Sequence, residues 1–314
     1  MTKSPARHPL LYIMMLCLAV AAGYLYQLRT QGIFSCPAGG YRTDRYLAYC
    51  NGEAYSDYDH GAFWFGLEPG IPQNAALADV LFLGSSRMQF ALSTVASDSW
   101  FASHSITHYL MGFSHTENAT FAAPLLAQLK PRAKFYVINV DRFFSDVESG
   151  PGSEILHNPR IGRRYTEKRL WQQLHRRICT RFVAQCGRNF AYFRASETGH
   201  WVVRGDPPVD DTPVSESPAS DPVKLRHAAD LAERFISTLP VARECVLLTL
   251  IPSPGALTAD ARTIAAALNL ELITPNLDGL RTFDGSHLDL PSAERWSQGF
   301  YALAGDRIRG CMAT

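Results

Sequence analysis

The chain has 314 residues, of which 46% are apolar and 11% are aromatic. This composition is typical of a protein with a hydrophobic core and excludes a largely disordered chain. The 30 Lys and Arg residues almost balance the 29 Asp and Glu residues, which leaves a formal charge of +1. Because the sequence contains no long basic run, nucleic acid is not expected as a partner.

The first feature along the chain is an uncharged apolar segment, residues 10–26, which follows Lys3 and Arg7. As a helix, these 17 residues would extend about 25 Å, close to the ~30 Å hydrocarbon layer of a bilayer. We expect a signal anchor with a single membrane span. The alternative is a signal peptide that is cleaved after the small-residue pattern at 19–21. Either kind of segment takes the rest of the chain out of the cytoplasm.

Cysteine usage agrees with an exported domain, because six cysteines follow Cys17 and an even number favours disulfides. Pairing by neighbourhood, with the last pair assigned by elimination, gives Cys36–Cys50, Cys179–Cys186 and Cys245–Cys311. Free thiols are the alternative. A zinc site is disfavoured because the cysteines show no C-x-x-C spacing.

Strand and helix patterns alternate from residue 79 onwards. Apolar runs predict strands at 79–83, 105–110, 134–140, 244–251 and 270–274. Helical patterns are found at 117–129, 223–238, 259–268 and 292–304. This alternation predicts an α/β fold with a doubly wound, mostly parallel sheet in a flavodoxin-like, three-layer α/β/α arrangement.

We predict three parts of the chain: a cytoplasmic stub with the anchor at 1–28, a wrapping N-terminal extension at 29–78, and the α/β domain at 79–314. An insertion at about 145–222 interrupts the α/β domain. It contains a basic helical patch at 160–181, which we interpret as a solvated helix face, with contact to anionic lipid headgroups or an acidic polymer as the alternative. The Pro-, Ser- and Asp-rich segment 205–222 is interpreted as a mobile surface loop.

Two short motifs carry the chemistry. Ser86 ends the run Gly84-Ser85-Ser86 after the first predicted strand of the α/β domain, and ligands bind at the carboxyl ends of such strands. A serine at a helix start is usually an N-cap, and as a nucleophile it would lie near backbone N–H groups. Near the C-terminus, Asp284 precedes His287 by three residues. This spacing lets the carboxylate hold one imidazole nitrogen while the other accepts a serine proton.

With these motifs in this order, residues 79–304 resemble the SGNH (GDSL-type) hydrolase superfamily. In that family the nucleophile ends a Gly-Asp-Ser motif, and a late D-x-x-H loop supplies the Asp and the His. The resemblance implies that Ser86 is the nucleophile, His287 the base and Asp284 its partner, and that the enzyme needs no cofactor or metal.

The resemblance also implies an oxyanion hole formed by Ser86, Gly112 and Asn139. Where the family reads Gly-x-Asn-Asp, this chain has Asp141 in place of the donor Asn, just before Arg142. A carboxylate there opposes an oxyanion unless it is protonated or turned toward Arg142. The loss of one hydrogen-bond donor from an oxyanion hole typically costs about 2.7–4 kcal/mol of transition-state stabilisation. Arg87 is predicted either to bind an anionic substrate group or to pair with a surface acid.

The Gly-Ser-Ser-Arg variant, the anchor and the cysteine-bearing exported domain resemble membrane-anchored SGNH proteins that act beside membrane-bound O-acyltransferases. The resemblance implies a bacterial inner-membrane protein with a periplasmic domain, an acyl-ester or polysaccharide substrate, and such an acyltransferase as a partner. Secretion after signal-peptide cleavage is the alternative location. The first functional hypothesis is a serine esterase or O-acyltransferase. The others are a catalytically inactive scaffold that binds a glycan or an acyltransferase, and an unrelated carbohydrate-binding module.

Several other residues have a simpler interpretation. The histidines His104, His108 and His115 suggest a metal site, but we expect none because strand and loop geometry does not bring their rings together. Asn118 begins a formal glycosylation sequon and is predicted to start a helix instead. Ser286 and Asp289 are predicted to be turn and cap residues.

Overall fold

The computed structural model describes residues 9–30, 33–51, 57–181 and 186–312. The helices are α1 Pro9–Thr30, α2 Asp59–Trp64, α3 Ile71–Leu77, α4 Ser86–Ala91, α5 Thr94–His104, α6 Ala119–Leu129, α7 Gly150–His157, α8 Ile161–Cys179, α9 Pro222–Ile236, α10 Thr258–Ala267 and α11 Leu290–Met312. The strands are β1 Arg45–Cys50, β2 Val80–Ser85, β3 His108–Phe113, β4 Phe135–Asn139, β5 Ala191–Ala195, β6 Trp201–Arg204, β7 Thr212–Pro213, β8 Val246–Thr249 and β9 Arg281–Thr282.

A four-stranded parallel sheet with the order β3-β2-β4-β8 confirms the mixed α/β prediction. Every residue of these strands is buried, as expected for a parallel sheet that is covered on both faces. The chain passes from β2 to β3 on one side and then to β4 on the other side. The carboxyl end of β2 is therefore the point at which strand order reverses, which is where ligands bind in open α/β sheets.

The two faces of this sheet belong to different apolar clusters because successive strand residues point in opposite directions. Leu81 and Leu83 join a cluster that includes side chains of α6, α9 and α10. Val80 and Phe82 join a second cluster with α4, α5 and α11, in which Trp296 is fully buried. The strand at the reversal point is thus held on both sides.

A second, antiparallel sheet with the order β1-β5-β6 joins the predicted N-terminal extension to the predicted insertion. The turn of the β5–β6 hairpin lies against the edge strand β3, where the Leu110 amide donates to the Thr198 carbonyl over 2.9 Å. Gly199 has φ +74°, and a Cβ there would lie 2.4 Å from the Leu110 carbonyl oxygen. Only glycine allows this close approach. The boundaries of the predicted parts stay a prediction.

Two predicted features differ from the structure. Within 205–222, interpreted as a mobile surface loop, β7 pairs antiparallel with β9, and the Asp210 amide donates to the Phe283 carbonyl over 2.8 Å. This segment therefore lies beside the D-x-x-H motif, a long-range pairing that its composition does not reveal. The predicted strand 270–274 forms only an isolated parallel bridge, between Leu248 and Leu272.

Helix α1 is the part of the described chain that is long and apolar enough to cross a membrane, by length and composition. Its window Pro9–Tyr26 has a mean hydropathy of 1.9, and none of it is buried. Apart from Cys17 of α1, the six cysteines form disulfides in the predicted pairs, Cys36–Cys50, Cys179–Cys186 and Cys245–Cys311. The apolar helix and the disulfides are consistent with a membrane-anchored or secreted protein outside the cytoplasm.

Candidate active site

The turn from β2 to α4 separates the helix-capping serine from the serine that faces the site. The N-cap is Ser85, whose Oγ accepts from the Arg87 amide at 3.4 Å. The Ser86 hydroxyl is therefore not used as the cap. A Cβ at Gly84 would lie 3.0 Å from Met88 and 3.1 Å from Asn139. A glycine here lets the turn pack closely between α4 and β4.

Ser86, His287 and Asp284 lie in one continuous hydrogen-bonded chain. Ser86 Oγ is 2.8 Å from His287 Nε2, and His287 Nδ1 is 2.7 Å from Asp284 Oδ2. The other carboxylate oxygen, Oδ1, accepts from the backbone amides of His287 at 2.8 Å and Ser286 at 3.0 Å. The structure thus brings together all three residues that the two sequence motifs single out.

The Asp284 carboxylate is held in its ionised form. Partial burial raises the pKa of Asp284, but the hydrogen bond and charge of His287 and the two backbone amides outweigh burial and lower the pKa below its ordinary value. An ionised carboxylate on Nδ1 fixes the ring orientation and leaves Nε2 free to accept a proton from Ser86.

Aromatic side chains hold the His287 ring in place. Its centroid lies 4.6 Å from that of Phe90 and 5.8 Å from that of Phe283, which is nearly parallel to it. Phe90 is one helical turn beyond Ser86 on α4 and also contacts Tyr192 and Trp201 at 5.5 and 5.7 Å. Neither sequence motif predicts a role for Phe90, although its i+4 spacing from Ser86 places it on the same helix face.

Gly112 lies inside β3, directly opposite Gly84 of β2. A Cβ at Gly112 would lie 2.7 Å from the Ser85 carbonyl and 2.8 Å from Gln89 Cγ. Its carbonyl accepts from Gln89 Nε2 at 3.0 Å and from the buried Arg194 guanidinium. The structure therefore places Gly112 beside the turn that carries Ser86, and its assignment to the oxyanion hole stays a prediction.

Asn139 ends β4 and is almost fully buried, with 1% of its surface exposed. Its Oδ1 accepts from the Ile251 amide at 3.2 Å, and its Nδ2 is buried without a hydrogen-bond partner among the described residues. The amide group thus ties the end of β4 to the chain that follows β8. Its assignment to the oxyanion hole also stays a prediction.

Asp141 is turned toward Arg87 instead of Arg142. Arg87 Nη1 donates to Asp141 Oδ2 at 2.6 Å, and Arg87 Nε donates to Ser286 Oγ at 3.4 Å. The side chains of Arg87 and Asp141 are 23% and 9% exposed. Of the two predicted roles of Arg87, pairing with an acid is the one that this contact matches. The ion pair offsets the carboxylate charge that the sequence places close to the nucleophile.

A cavity of about 510 Å³ lies at the carboxyl ends of β4 and β8, and its lining includes Asp141 but none of Ser86, Asp284 and His287. Its volume falls in the range of about 300–1,000 Å³ that is typical of small-molecule sites. Most of its wall is apolar, with Val140, Phe144, Leu225, Leu250, Leu257 and Ile264 among the lining residues. Lys224 and His227 also line the cavity and add polar groups.

The histidines His104, His108 and His115 do not form a cluster. His104 stacks on Trp100 at the end of α5, with ring centroids 4.4 Å apart, whereas His115 is exposed after β3. Two simpler interpretations are confirmed. The Asn118 side chain caps α6 by accepting from the Thr120 amide at 2.9 Å. Asp289 Oδ1 accepts from the Ser292 amide at 2.8 Å in the first turn of α11.

A buried charged cluster that no sequence motif predicts lies between α2 and the start of α6. The fully buried His60 contacts Asp57 through Nδ1 and Glu117 through Nε2, each at 2.8 Å. Burial lowers the pKa of His60, but the charges and hydrogen bonds of the two acids raise it to about 10. His60 is therefore an imidazolium. Nothing in the sequence pairs His60 with Glu117, which is 57 residues away.

The site thus consists of a Ser-His-Asp chain at the reversal point of a parallel sheet, with an Arg-Asp ion pair beside it. The likeness to SGNH hydrolases rests on two sequence motifs and their order. In comparisons with known proteins, no family model, no curated protein and no solved structure matches this chain.

Proposed function

We propose that this protein is an extracytoplasmic serine esterase or O-acyltransferase of the SGNH type. The observation that carries the proposal is the contact of Ser86 Oγ with His287 Nε2 at 2.8 Å, backed by Asp284 on the other imidazole nitrogen. This arrangement has the geometry that activates a serine for nucleophilic attack.

In the proposed reaction, His287 takes the Ser86 proton as Oγ attacks the acyl carbonyl. The tetrahedral intermediate collapses, the alcohol leaves with the proton from His287, and an acyl-serine remains. Water or a sugar hydroxyl then attacks that ester with His287 again as base. The proposed oxyanion donors are the N–H groups of Ser86 and Gly112 and the amide of Asn139.

The architecture supports membership of the SGNH superfamily. A three-layer, flavodoxin-like arrangement fits the parallel sheet and the two apolar clusters on its faces. The nucleophile follows the strand at the reversal point, and the D-x-x-H loop directly precedes α11. We assign residues 79–314 to the catalytic domain and about 145–222 to its insertion.

The proposed location is the bacterial inner membrane, with α1 as a single-pass anchor and the catalytic domain in the periplasm. The apolar α1 and the disulfides support this location. An enzyme tethered there meets acylated envelope polysaccharides. A membrane-bound O-acyltransferase is the proposed partner.

A fluorophosphonate probe, which reacts covalently with activated serines, tests the catalytic assignment. We expect the wild-type protein to be labelled and Ser86→Ala to lose the label. Ser103→Ala is the matched control, because Ser103 is an exposed serine on α5 that bonds the Trp100 carbonyl. Absence of labelling in folded wild-type protein would contradict the proposal.

An assay with and without polysaccharide separates hydrolysis from transfer, and Ser86→Ala is its control. With p-nitrophenyl acetate as the acyl donor, a hydrolase releases acetate at a rate that polysaccharide does not change. A transferase moves the acetyl group to the polysaccharide, which then carries the ester. Ser86→Ala should abolish whichever product forms.

A catalytically inactive scaffold is the second candidate. The observation that favours it is Asn139, whose amide oxygen is bound to the Ile251 amide and whose nitrogen is buried. A side chain held in this way does not reach a substrate without rearrangement. In this alternative, the protein binds a glycan or the acyltransferase without catalysing a reaction. It would then show no fluorophosphonate labelling and would still bind that partner.

A further inference from the structure

A second group of side chains converges at the opposite end of β3 from the candidate active site. His108 is the first residue of β3, His200 directly precedes β6, and Asp98 lies on α5. The Nε2 atoms of the two histidines are 3.3 Å apart, and Asp98 Oδ1 is 3.8 Å from His108 Nε2. One atom from each of the three residues lies within 4.8 Å of the other two.

The separation of the two imidazole nitrogens is the spacing that a shared metal ion would set. Their 3.3 Å contact is also within reach of a hydrogen bond, so the zinc geometry is what distinguishes the two. Two Zn–N bonds of about 2.05 Å at a tetrahedral angle put their nitrogens about 3.3–3.4 Å apart. An octahedral right angle with the same bonds would bring them to about 2.9 Å.

Both rings are fixed in position before any ion binds. The His108 ring stacks on Phe101 with centroids 4.1 Å apart. His200 follows Gly199, whose close contact with the Leu110 carbonyl sets the hairpin turn against β3. Its own carbonyl accepts from the Ala195 amide at 2.9 Å. Ligands held in this way lose little freedom on coordination.

The chemistry of the group also suits a divalent cation. Imidazole nitrogens and carboxylate oxygens are common ligands of zinc in proteins. The Asp98 side chain is 51% exposed, so it can move the few tenths of an ångström that coordination requires.

We propose that His108, His200 and Asp98 bind one divalent transition-metal ion, with zinc as the best match to the ligands and their spacing. Water completes a four-coordinate shell. We assign the ion a structural role and not a catalytic one. His108 is at the start of β3, and the candidate active site lies at the carboxyl end of the sheet, five residue steps or about 17 Å along the strand. The ion holds α5, the edge strand β3 and the β5–β6 hairpin together.

Full-length protein, purified in detergent without a polyhistidine tag or chelator, provides the test. We expect one zinc ion per chain by mass spectrometry of the metal content. Dialysis against a chelator should lower the midpoint of thermal unfolding. Zinc added back at 100 times its Kd should raise the midpoint again, by on the order of 4 °C. Cobalt substitution should give the intense visible absorption of tetrahedral Co²⁺.

Variants assign the site. Asp98→Asn changes a half-exposed side chain and should weaken zinc binding at least 10-fold while the protein stays folded. His200→Gln should remove stoichiometric binding. His157→Gln is the matched control, because His157 pairs with Glu148 on the surface and should leave binding unchanged.

Two results would overturn the proposal. One is folded wild-type protein that retains no zinc and shows no change in unfolding temperature when zinc is added, which would leave a neutral imidazole pair. The other is zinc binding that Asp98→Asn and His200→Gln do not alter. Fluorophosphonate labelling of Ser86 is a separate readout, so failure of the metal proposal leaves the catalytic proposal intact.

Discussion

At the scale of single residues, the turn after β2 gives three consecutive side chains different contacts. Ser85 caps α4, Ser86 faces His287, and Arg87 pairs with Asp141. The three contacts differ because the side chains of successive residues in a strand-to-helix turn point to different sides. The Arg87 ion pair matches the charge of the Asp141 carboxylate before any substrate arrives.

Asp284→Asn tests the role of the carboxylate. The amide keeps the shape of the side chain but loses the charge that stabilises the imidazolium, so kcat/KM should fall about 10³–10⁴-fold with little change in unfolding temperature. Initial rates with p-nitrophenyl acetate measure the effect. Asp206→Asn is the control, because Asp206 pairs with Arg188 on the surface, where both side chains are more than half exposed. Equal losses in both variants would refute the assignment.

His60 gives a prediction for pH. Its pKa is raised to about 10 in the folded protein and is about 6.5 when unfolded. The stabilisation is therefore fully present below pH 6.5 and is lost as pH rises through 10, at no more than about 1.4 kcal/mol per pH unit. His60→Gln should be less stable at pH 6 and should approach wild-type stability by pH 10. Urea unfolding at several pH values measures this, and a pH-independent gap would contradict it.

At the scale of elements, the strands of the parallel sheet and the helices between them were predictable. The apolar run that became β2 and the helical pattern that became α9 lie within a few residues of their predicted positions. Each forms a buried run or an amphipathic face that depends on local sequence alone. The same holds for Asp284 and His287, whose contact depends on a three-residue spacing.

The rest depended on contacts between distant parts of the chain. β5 pairs with β1, and Leu47 lies opposite Phe193 although 146 residues separate them. Arg194 appears in the sequence as one more basic residue, yet it is fully buried. No local pattern distinguishes such an arginine from an exposed one. The aromatic contacts of His287 with Phe90 and Phe283 arise in the same way.

Arg194 joins the two sheets and is expected to be essential for stability. Its guanidinium forms bidentate hydrogen bonds with the buried Asp59. It also donates to the Leu110 carbonyl of β3 and to the Gly199 carbonyl of the hairpin turn. Arg194→Met leaves the Asp59 charge buried without its partner, which should cost about 3–5 kcal/mol of unfolding free energy. Denaturant unfolding provides the measurement.

Arg188→Met is the control for that variant. Arg188 pairs with Asp206 on the surface, where both side chains are more than half exposed. Its removal should change the unfolding free energy by no more than about 0.5 kcal/mol. If the two variants were equally stable, the buried arginine would not be what holds the hairpin to β3.

At the scale of the whole molecule, the candidate active site is assembled from distant parts of the chain. The nucleophile comes from the β2–α4 turn, and its partners come from the loop before α11. The β5–β6 hairpin supplies Trp201 and Tyr192 to the aromatic cluster at Phe90. The arrangement of the site thus depends on how firmly this hairpin and the C-terminal segment are attached to the parallel sheet.

The Cys245–Cys311 disulfide fixes the second of these attachments. It closes a loop of 66 residues that contains Asp284 and His287, whereas Cys36–Cys50 closes a loop of 14. Chain entropy predicts a loss of about 4 kcal/mol when the first is replaced by paired alanines and about 3 kcal/mol for the second. Denaturant unfolding measures both, and Cys17→Ala, which removes the free cysteine of α1, should have no effect.

The activity of the Cys245→Ala, Cys311→Ala variant is the more informative measurement. The hydrogen bonds within the Asp284 loop and the ring contacts of His287 do not involve the disulfide. The disulfide acts mainly on the unfolded chain, so kcat/KM without denaturant should stay within a few-fold of wild type. The loss should emerge only as denaturant approaches the lowered midpoint. A large loss of activity in a folded variant would instead mean that the disulfide positions the loop.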